Sequence, residues 1–150
     1  MDLLGQLEGC RSAPDPWTAA LETIIAHTRT ESGTIHLLGL DGMLHLKTSM
    51  GIPAVVLDKV RVVPIGKGMA GLAAERRQPV SVCNLQTDSS GDVRPGARAT
   101  GLEGAIASPM FAGDQVAGVL GVANRQERTF TGEEQQLLID AGRMLAGWIE

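Results

Sequence analysis

The segment Gly66-Lys67-Gly68-Met69-Ala70-Gly71 stands between a β-branched run, Lys59 to Ile65, and a helix-forming run, Leu72 to Arg77, with Pro79 close behind. Glycines at three positions let the chain turn tightly into a helix. The proline before Val80-Ser81-Val82-Cys83 confines that helix to about 68–77. The same spacing fits G-x-G-x-x-G, the pattern of a dinucleotide-binding turn, with Asp88 near the place of a ribose-binding acid. A parallel crossover, however, needs a dozen or more residues, which this interval does not supply. Further on, the apolar runs meet at Ala112-Gly113-Asp114, a tight turn that predicts an antiparallel hairpin. The glycines therefore open a short helix inside a mixed α+β domain.

Composition narrows the class. A chain of 150 residues with 43% hydrophobic content suits one compact domain with its own core. A net charge of −4 leaves no electrostatic footprint for nucleic acid. Met1 to Gln6 carries an acid and no basic region, and the run Val116 to Ala123 is too short to span a bilayer, so neither a secretory signal nor a membrane partner is expected. Cys10 and Cys83 stand far apart and outside any C-x-x-C pattern, which excludes a disulfide framework or a zinc knuckle and predicts a reducing, cytoplasmic setting. Two Phe, two Trp, no Tyr and 19 Gly make an interior of small side chains that leaves room for something else.

The element order follows from caps and periodicity. Asp15 as N-cap and Pro16 at the first helical position start a helix over 15–32, with Trp17, Ala20, Leu21, Ile24, Ile25 and Thr28 at helical spacing. Thr34 to Leu40 and Met43 to Thr48 flank Asp41-Gly42, a two-residue hairpin signal. A short helical piece near 52–58 leads to the strand before the glycines. Residues 84–101 are polar and turn-rich, a long loop or lid. Glu103 to Phe111 and Gln115 to Asn124 form a second hairpin. Thr131-Gly132-Glu133-Glu134 is a capping box that opens a helix over 131–149 with the stripe Leu137, Leu138, Ala141, Leu145 and Trp148.

With Asp41-Gly42 as the turn, Leu38 opposes His45 and His36 opposes Lys47. Ile35, Leu37, Leu44 and Leu46 then share one face, and His36, Leu38, His45 and Lys47 the other. His27, off its helix stripe, faces solvent. No His, Cys, Asp or Glu set has the spacing of a metal site.

In this order, the glycine segment with Pro79-Val80, Ala107-Ser108-Pro109-Met110, Gly118 to Asn124, and the closing Phe130, Glu134, Leu137-Leu138 and Ala141 resemble a GAF domain. The resemblance covers Pro16 to Ile149, with 1–14 as an N-terminal extension and 15–150 as the domain. It implies an α+β fold with a central antiparallel sheet of about six strands. Terminal helices cover one face, and short helices and loops roof a ligand pocket on the other. It also implies a sensory or regulatory module that signals through its terminal helices. The implied partners are a small-molecule ligand, a second copy of the chain through those helices, and an output domain or a partner kinase or regulator; the cofactor is open.

Placed in that frame, the pocket is expected between the sheet and the glycine-opened helix, lined by His36, Leu38, Met69, Ala70, Val82, Leu85, Ala105 and Ala107. The free amides at Gly68, Met69 and Ala70, with the positive end of the helix dipole, suit an anionic ligand that Arg94 and Arg98 can close over. Free methionine-R-sulfoxide reductases are similar in length, but they use several pocket cysteines. Here the glycine-loop position of one is Ala70, and Cys83 has no resolving partner, so no catalytic residue is assigned. The cyclic-nucleotide signature is met in part by Asn124-Arg125, Phe130 and Glu134-Gln135, with an Arg125–Glu134 salt bridge implied. A dimer is expected to bury Ile139, Met144 and Ile149, unless the segment Leu3 to Leu7 folds back over them.

Overall fold

The computed structural model describes residues 2–90, 92–93 and 100–149. The elements run α1 (Leu3–Cys10), α2 (Pro16–Thr28), β1 (Ser32–Leu38), β2 (Met43–Met50), α3 (Ala54–Val60), β3 (Val62–Pro64), α4 (Gly68–Arg76), β4 (Val80–Val82), β5 (Ala105–Ala112), β6 (Gln115–Ala123) and α5 (Gly132–Ala146). The six strands form one antiparallel sheet in the order β3-β2-β1-β6-β5-β4. This is the expected α+β architecture. Because β3 and β4 lie on opposite edges, the glycine-opened α4 crosses the sheet instead of closing a β-α-β unit, and it packs against β3, β4, β5 and β6.

The strands sort their side chains to two layers by simple alternation. Ile35, Ile106, Met110, Leu120 and Val122 face α1, α2 and α5, where they meet Leu21, Ile24, Leu138 and Leu145 in one continuous buried cluster. Leu44, Val63, Ala107 and Val119 face the opposite way, onto Ala73 and Ala74 of α4. Pro109 is tolerated in β5 because β4 pairs only as far as Ala107, so from Pro109 onward β5 has a single neighbour.

Caps set the helix starts. The Asp15 carboxylate accepts from the Thr18 amide at 3.2 Å. The capping box at Thr131 and Glu134 is complete, at 2.9 and 3.1 Å. There the Thr131 amide, with Arg128 beside it, holds the Glu134 carboxyl below its usual range. The first long helix is shorter than 15–32: it stops at Thr28, Arg29 takes the left-handed conformation at φ 58°, and Ser32 already begins β1. The last stops at Ala146, short of 149. The strand expected from Lys59 to Ile65 is shorter: Lys59 and Val60 close α3, and Val62–Pro64 are extended.

Residues 3–10 form a helix whose Leu3 and Leu7 are buried in the helix-side cluster, with Leu4 and Met144 packed against it. Thus α1 lies over α2 and α5, on the flank that the expected dimer would use. Ile149 is the residue of that set left as an exposed large hydrophobe.

The first hairpin departs from its expected register. The connection is the four-residue loop Gly39–Gly42, with Gly42 at φ 79° and the Gly39 amide donating to the Met43 carbonyl at 2.8 Å. Leu38 therefore pairs with Leu44, Leu37 with His45 and His36 with Leu46, and a bulge follows between Ile35 and His36. This slip of one residue turns Leu44, His45 and Leu46 over; beyond the bulge Ile35 pairs with Thr48, back in the expected register. Leu44 faces α4, where the expected pairing put it under the terminal helices. His45 pairs instead with Asp41 at 2.9 Å.

Candidate functional site

A cavity of about 510 Å³ lies between the sheet and helices α3 and α4. Its floor is made by inward positions of the central strands: Thr34 and His36 from β1, Val119, Gly121 and Ala123 from β6, and Ala105 and Ala107 from β5. These are mostly small residues, which is why the helices above do not meet the sheet everywhere. Two separate apolar clusters flank the gap: Leu44, Val63, Ala73, Val80 and Val119 on one side, and Val82, Leu85, Leu102, Ala105 and Ala123 on the other.

Each glycine of the segment at 66–71 has a distinct physical task. Gly66 and Gly68 take positive φ, 88° and 66°, so that the chain can leave β3 and enter α4 directly. A Cβ on Gly71 would collide with the Pro64 carbonyl oxygen, so α4 can approach the end of β3 only without a side chain there. The result places Gly68, Met69 and Ala70, the first turn of α4, on the cavity wall. No side chain caps this helix: its N-cap residue is Lys67, and no side-chain hydrogen bond is made there. First-turn amides of a helix have no intrahelical carbonyl to bond.

His36 is the most buried polar side chain of the lining apart from Ser32, at 2% exposure. Its Nε2 lies 2.7 Å from the Val60 carbonyl oxygen at the end of α3. A carbonyl only accepts, so Nε2 carries the proton and Nδ1 is left as an acceptor. Nδ1 is buried and has no partner. Burial pushes the imidazole below its usual pKa, outweighing the hydrogen bond to Val60, so His36 is neutral near pH 7.

Of the residues expected in the site, His36, Gly68, Met69, Ala70, Leu85, Ala105 and Ala107 line the cavity. Leu38 does not: it is 39% exposed at the end of β1, beside the hairpin loop. Val82 is absent from the lining because it is buried among Leu85, Leu102 and Ala105. Arg94 and Arg98 lie outside the described residues. Sequence reasoning missed Thr34, Val119, Gly121 and Ala123, although their alternation with Ile35, Leu120 and Val122 was available. It also missed Val56, Lys59 and Val60 of α3, for which no local signal existed.

Neither cysteine lines the cavity. Cys83 is exposed past the end of β4, 3.2 Å from the Thr129 hydroxyl. Cys10 sits on the far layer, its thiol 3.3 Å from the Thr23 hydroxyl. The implied Arg125–Glu134 bridge is not formed. Arg128 takes that place against Glu134 and stacks over Phe130 at 4.6 Å, while Arg125 is 3.9 Å from Glu31. No group of three or more metal-ligating side chains occurs among the described residues. No helix among them is long and apolar enough to cross a membrane.

Known proteins agree with this architecture. A family model described as GAF domain matches residues 17–146. No curated protein gives a significant match. Among solved structures, the GAF domain from an Acinetobacter phosphoenolpyruvate-protein phosphotransferase superposes with a TM-score of 0.79 at 20% identity, covering 97% of this chain and 88% of that one. The corresponding domain from Coxiella burnetii gives 0.78 at 18% identity, covering 98% and 92%. The free methionine-R-sulfoxide reductase from Neisseria meningitidis in complex with its substrate gives 0.76 at 19% identity, covering 97% and 84%.

Proposed function

This chain belongs to the GAF domain family, and on that premise we propose that it is a non-catalytic sensory module that binds a small molecule in the cavity and signals through its terminal helices. The observation that carries this reading is the preformed gap at His36. An uncapped helix start and the buried His36 lie on the wall of a space of about 510 Å³. A cavity of that size falls within the range of small-molecule sites. Chromatography of the natively purified protein followed by mass spectrometry tests it: the expected result is a stoichiometric small molecule, or one that raises the melting temperature when added back. A pocket that neither retains nor accepts any compound, with His36→Phe more stable than the parent, would leave only an interaction module.

A route from cavity to chain end supports the signalling part. Arg77, the C-cap of α4, and Arg143 of α5 both lie over the Phe111 ring, at 5.9 and 5.1 Å. Arg77 also donates to the Asp114 carbonyl and Arg143 to that of Gly113, at 3.3 Å for the latter. The β5–β6 turn is thus held between the pocket helix and the terminal helix. Under this reading Phe111→Ala keeps ligand affinity but removes ligand-induced changes in hydrogen exchange along α5. Pairing of two copies through the chain ends is part of the proposal, supported by exposed Ile149 beside the Trp17–Trp148 pair, whose ring centroids are 5.5 Å apart. Light scattering at micromolar concentration should then give twice the chain mass.

The shared fold of the Neisseria meningitidis reductase motivates a second reading, a divergent methionine sulfoxide reductase. It requires a thiol at the substrate, and both cysteines lie away from the cavity. Turnover of free methionine sulfoxide that Cys83→Ser abolishes would establish it over the sensor; no turnover is expected.

A further inference from the structure

The geometry points to a particular chemical class for the cavity's ligand: a small organic anion with an apolar body and no ammonium group. The inference rests on the cavity being a ligand site, and it names what that site selects.

Charge comes first. The described lining contains two cationic side chains, Lys59 at the end of α3 and Lys67 at the start of α4, and no carboxylate. Neither lysine forms an ion pair among the described residues, where the ion pairs are made by arginines and His45. The uncapped first turn of α4, at Gly68, Met69 and Ala70, brings amide donors and the positive end of a nine-residue helix to the same wall. Lysine charge, helix dipole and free amides all favour a carboxylate or phosphate-like group there. An ammonium group would meet two like charges and no anion, and a zwitterionic amino acid would lose on one end what it gains on the other.

Most of the remaining lining is apolar, with Val56, Val63, Met69, Leu85, Leu102 and Val119 around the small residues of the floor. That surface takes an aromatic or branched aliphatic body.

Three probes of similar shape separate these elements by calorimetric titration into the full chain. Indole-3-acetate has the anion and the body; tryptamine replaces the anion by an ammonium; tryptophan is the zwitterion. Indole-3-acetate should bind, and tryptamine and tryptophan at least about tenfold more weakly. The double variant Lys59→Glu/Lys67→Glu, at exposed positions, should keep the melting temperature and lower the affinity for indole-3-acetate by about tenfold or more. Tryptamine or tryptophan binding as well as indole-3-acetate, or no effect of the charge reversal, would overturn the anion class and leave the ligand site standing. If none of the three binds at millimolar concentration, the inference falls, and the recovery of a native ligand by mass spectrometry decides separately whether the site itself stands.

Discussion

The two faces of the sheet are built on opposite terms. On the helix side, α1, α2 and α5 each begin with a side-chain cap, from Asp2, Asp15 and Thr131, and they bury one unbroken cluster against the strands. On the cavity side, α3 and α4 begin at Pro53 and Lys67 with no side-chain cap, and their contacts are split into two clusters by a void. One layer uses its sequence for cohesion, and the other gives up caps and packing to keep donors and space available. Binding sites tend to occupy such locally less consolidated regions. The same sheet serves both because period-two alternation lets one strand carry a leucine down and an alanine up.

Substitutions should report that contrast, and the largest effect belongs to the helix side. Leu7→Ala removes a fully buried side chain from the cluster under α1 and should cost about 2–5 kcal/mol in denaturant unfolding. A loss under about 1 kcal/mol would mean that α1 is a loose appendage and not part of the core.

Added volume should separate the faces next. A Cβ on Gly142 meets Met110 at 3.0 Å on the helix side, so Gly142→Val is expected to cost about 1–3 kcal/mol. On the cavity floor, a Cβ on Gly121 meets only the Thr34 hydroxyl at 3.3 Å and the Ile106 carbonyl at 3.6 Å. Gly121→Ala should therefore stay within about 0.5 kcal/mol of the parent while weakening ligand binding. Equal costs at the two glycines in thermal unfolding would erase the proposed difference in packing.

Between pH 7 and 5 a pH effect is expected from His36, on the cavity side. The His36 pKa is lowered from the ordinary value of 6.5, chiefly by burial. Between the folded and unfolded values the unfolded chain holds the extra proton. Stability is therefore full above the unfolded value and declines as pH falls below about 6.5, by at most about 1.4 kcal/mol per pH unit. His36→Phe should flatten that slope in urea titrations from pH 7 to 5. An unchanged slope would locate the proton elsewhere.

The smallest contrast is in the caps. Thr131→Ala should cost about 1 kcal/mol, because the hydroxyl accepts from the Glu134 amide at 3.1 Å. Lys67→Ala, at the corresponding start of α4, should change stability by less than about 0.5 kcal/mol, since its side chain caps nothing. Matched losses in melting curves would show that α4 depends on Lys67 after all.

What the sequence determined by itself is local chemistry with a short reach. Asp15-Pro16 and Thr131 to Glu134 mark helix starts because a cap needs only the next three residues. Gly66 to Gly71 followed by Pro79 predicts a short helix because positive φ and the lost proline amide act at the residue itself. The order of these signals was enough for the α+β class, and the family resemblance it carries implied that His36, Met69, Ala70, Leu85, Ala105 and Ala107 lie near one space. The tertiary structure decided whatever depended on register or on a distant neighbour. A four-residue loop in place of a two-residue turn slid Leu44 to Leu46 by one position, as far as the bulge, and sent Leu44 to the cavity side. The seating of α3 against His36 and the burial of Leu3 and Leu7 are likewise contacts between segments far apart in the chain. Alternation along a strand specifies two faces but not which one is inward, and only pairing with the neighbouring strand and the packed layers breaks that tie.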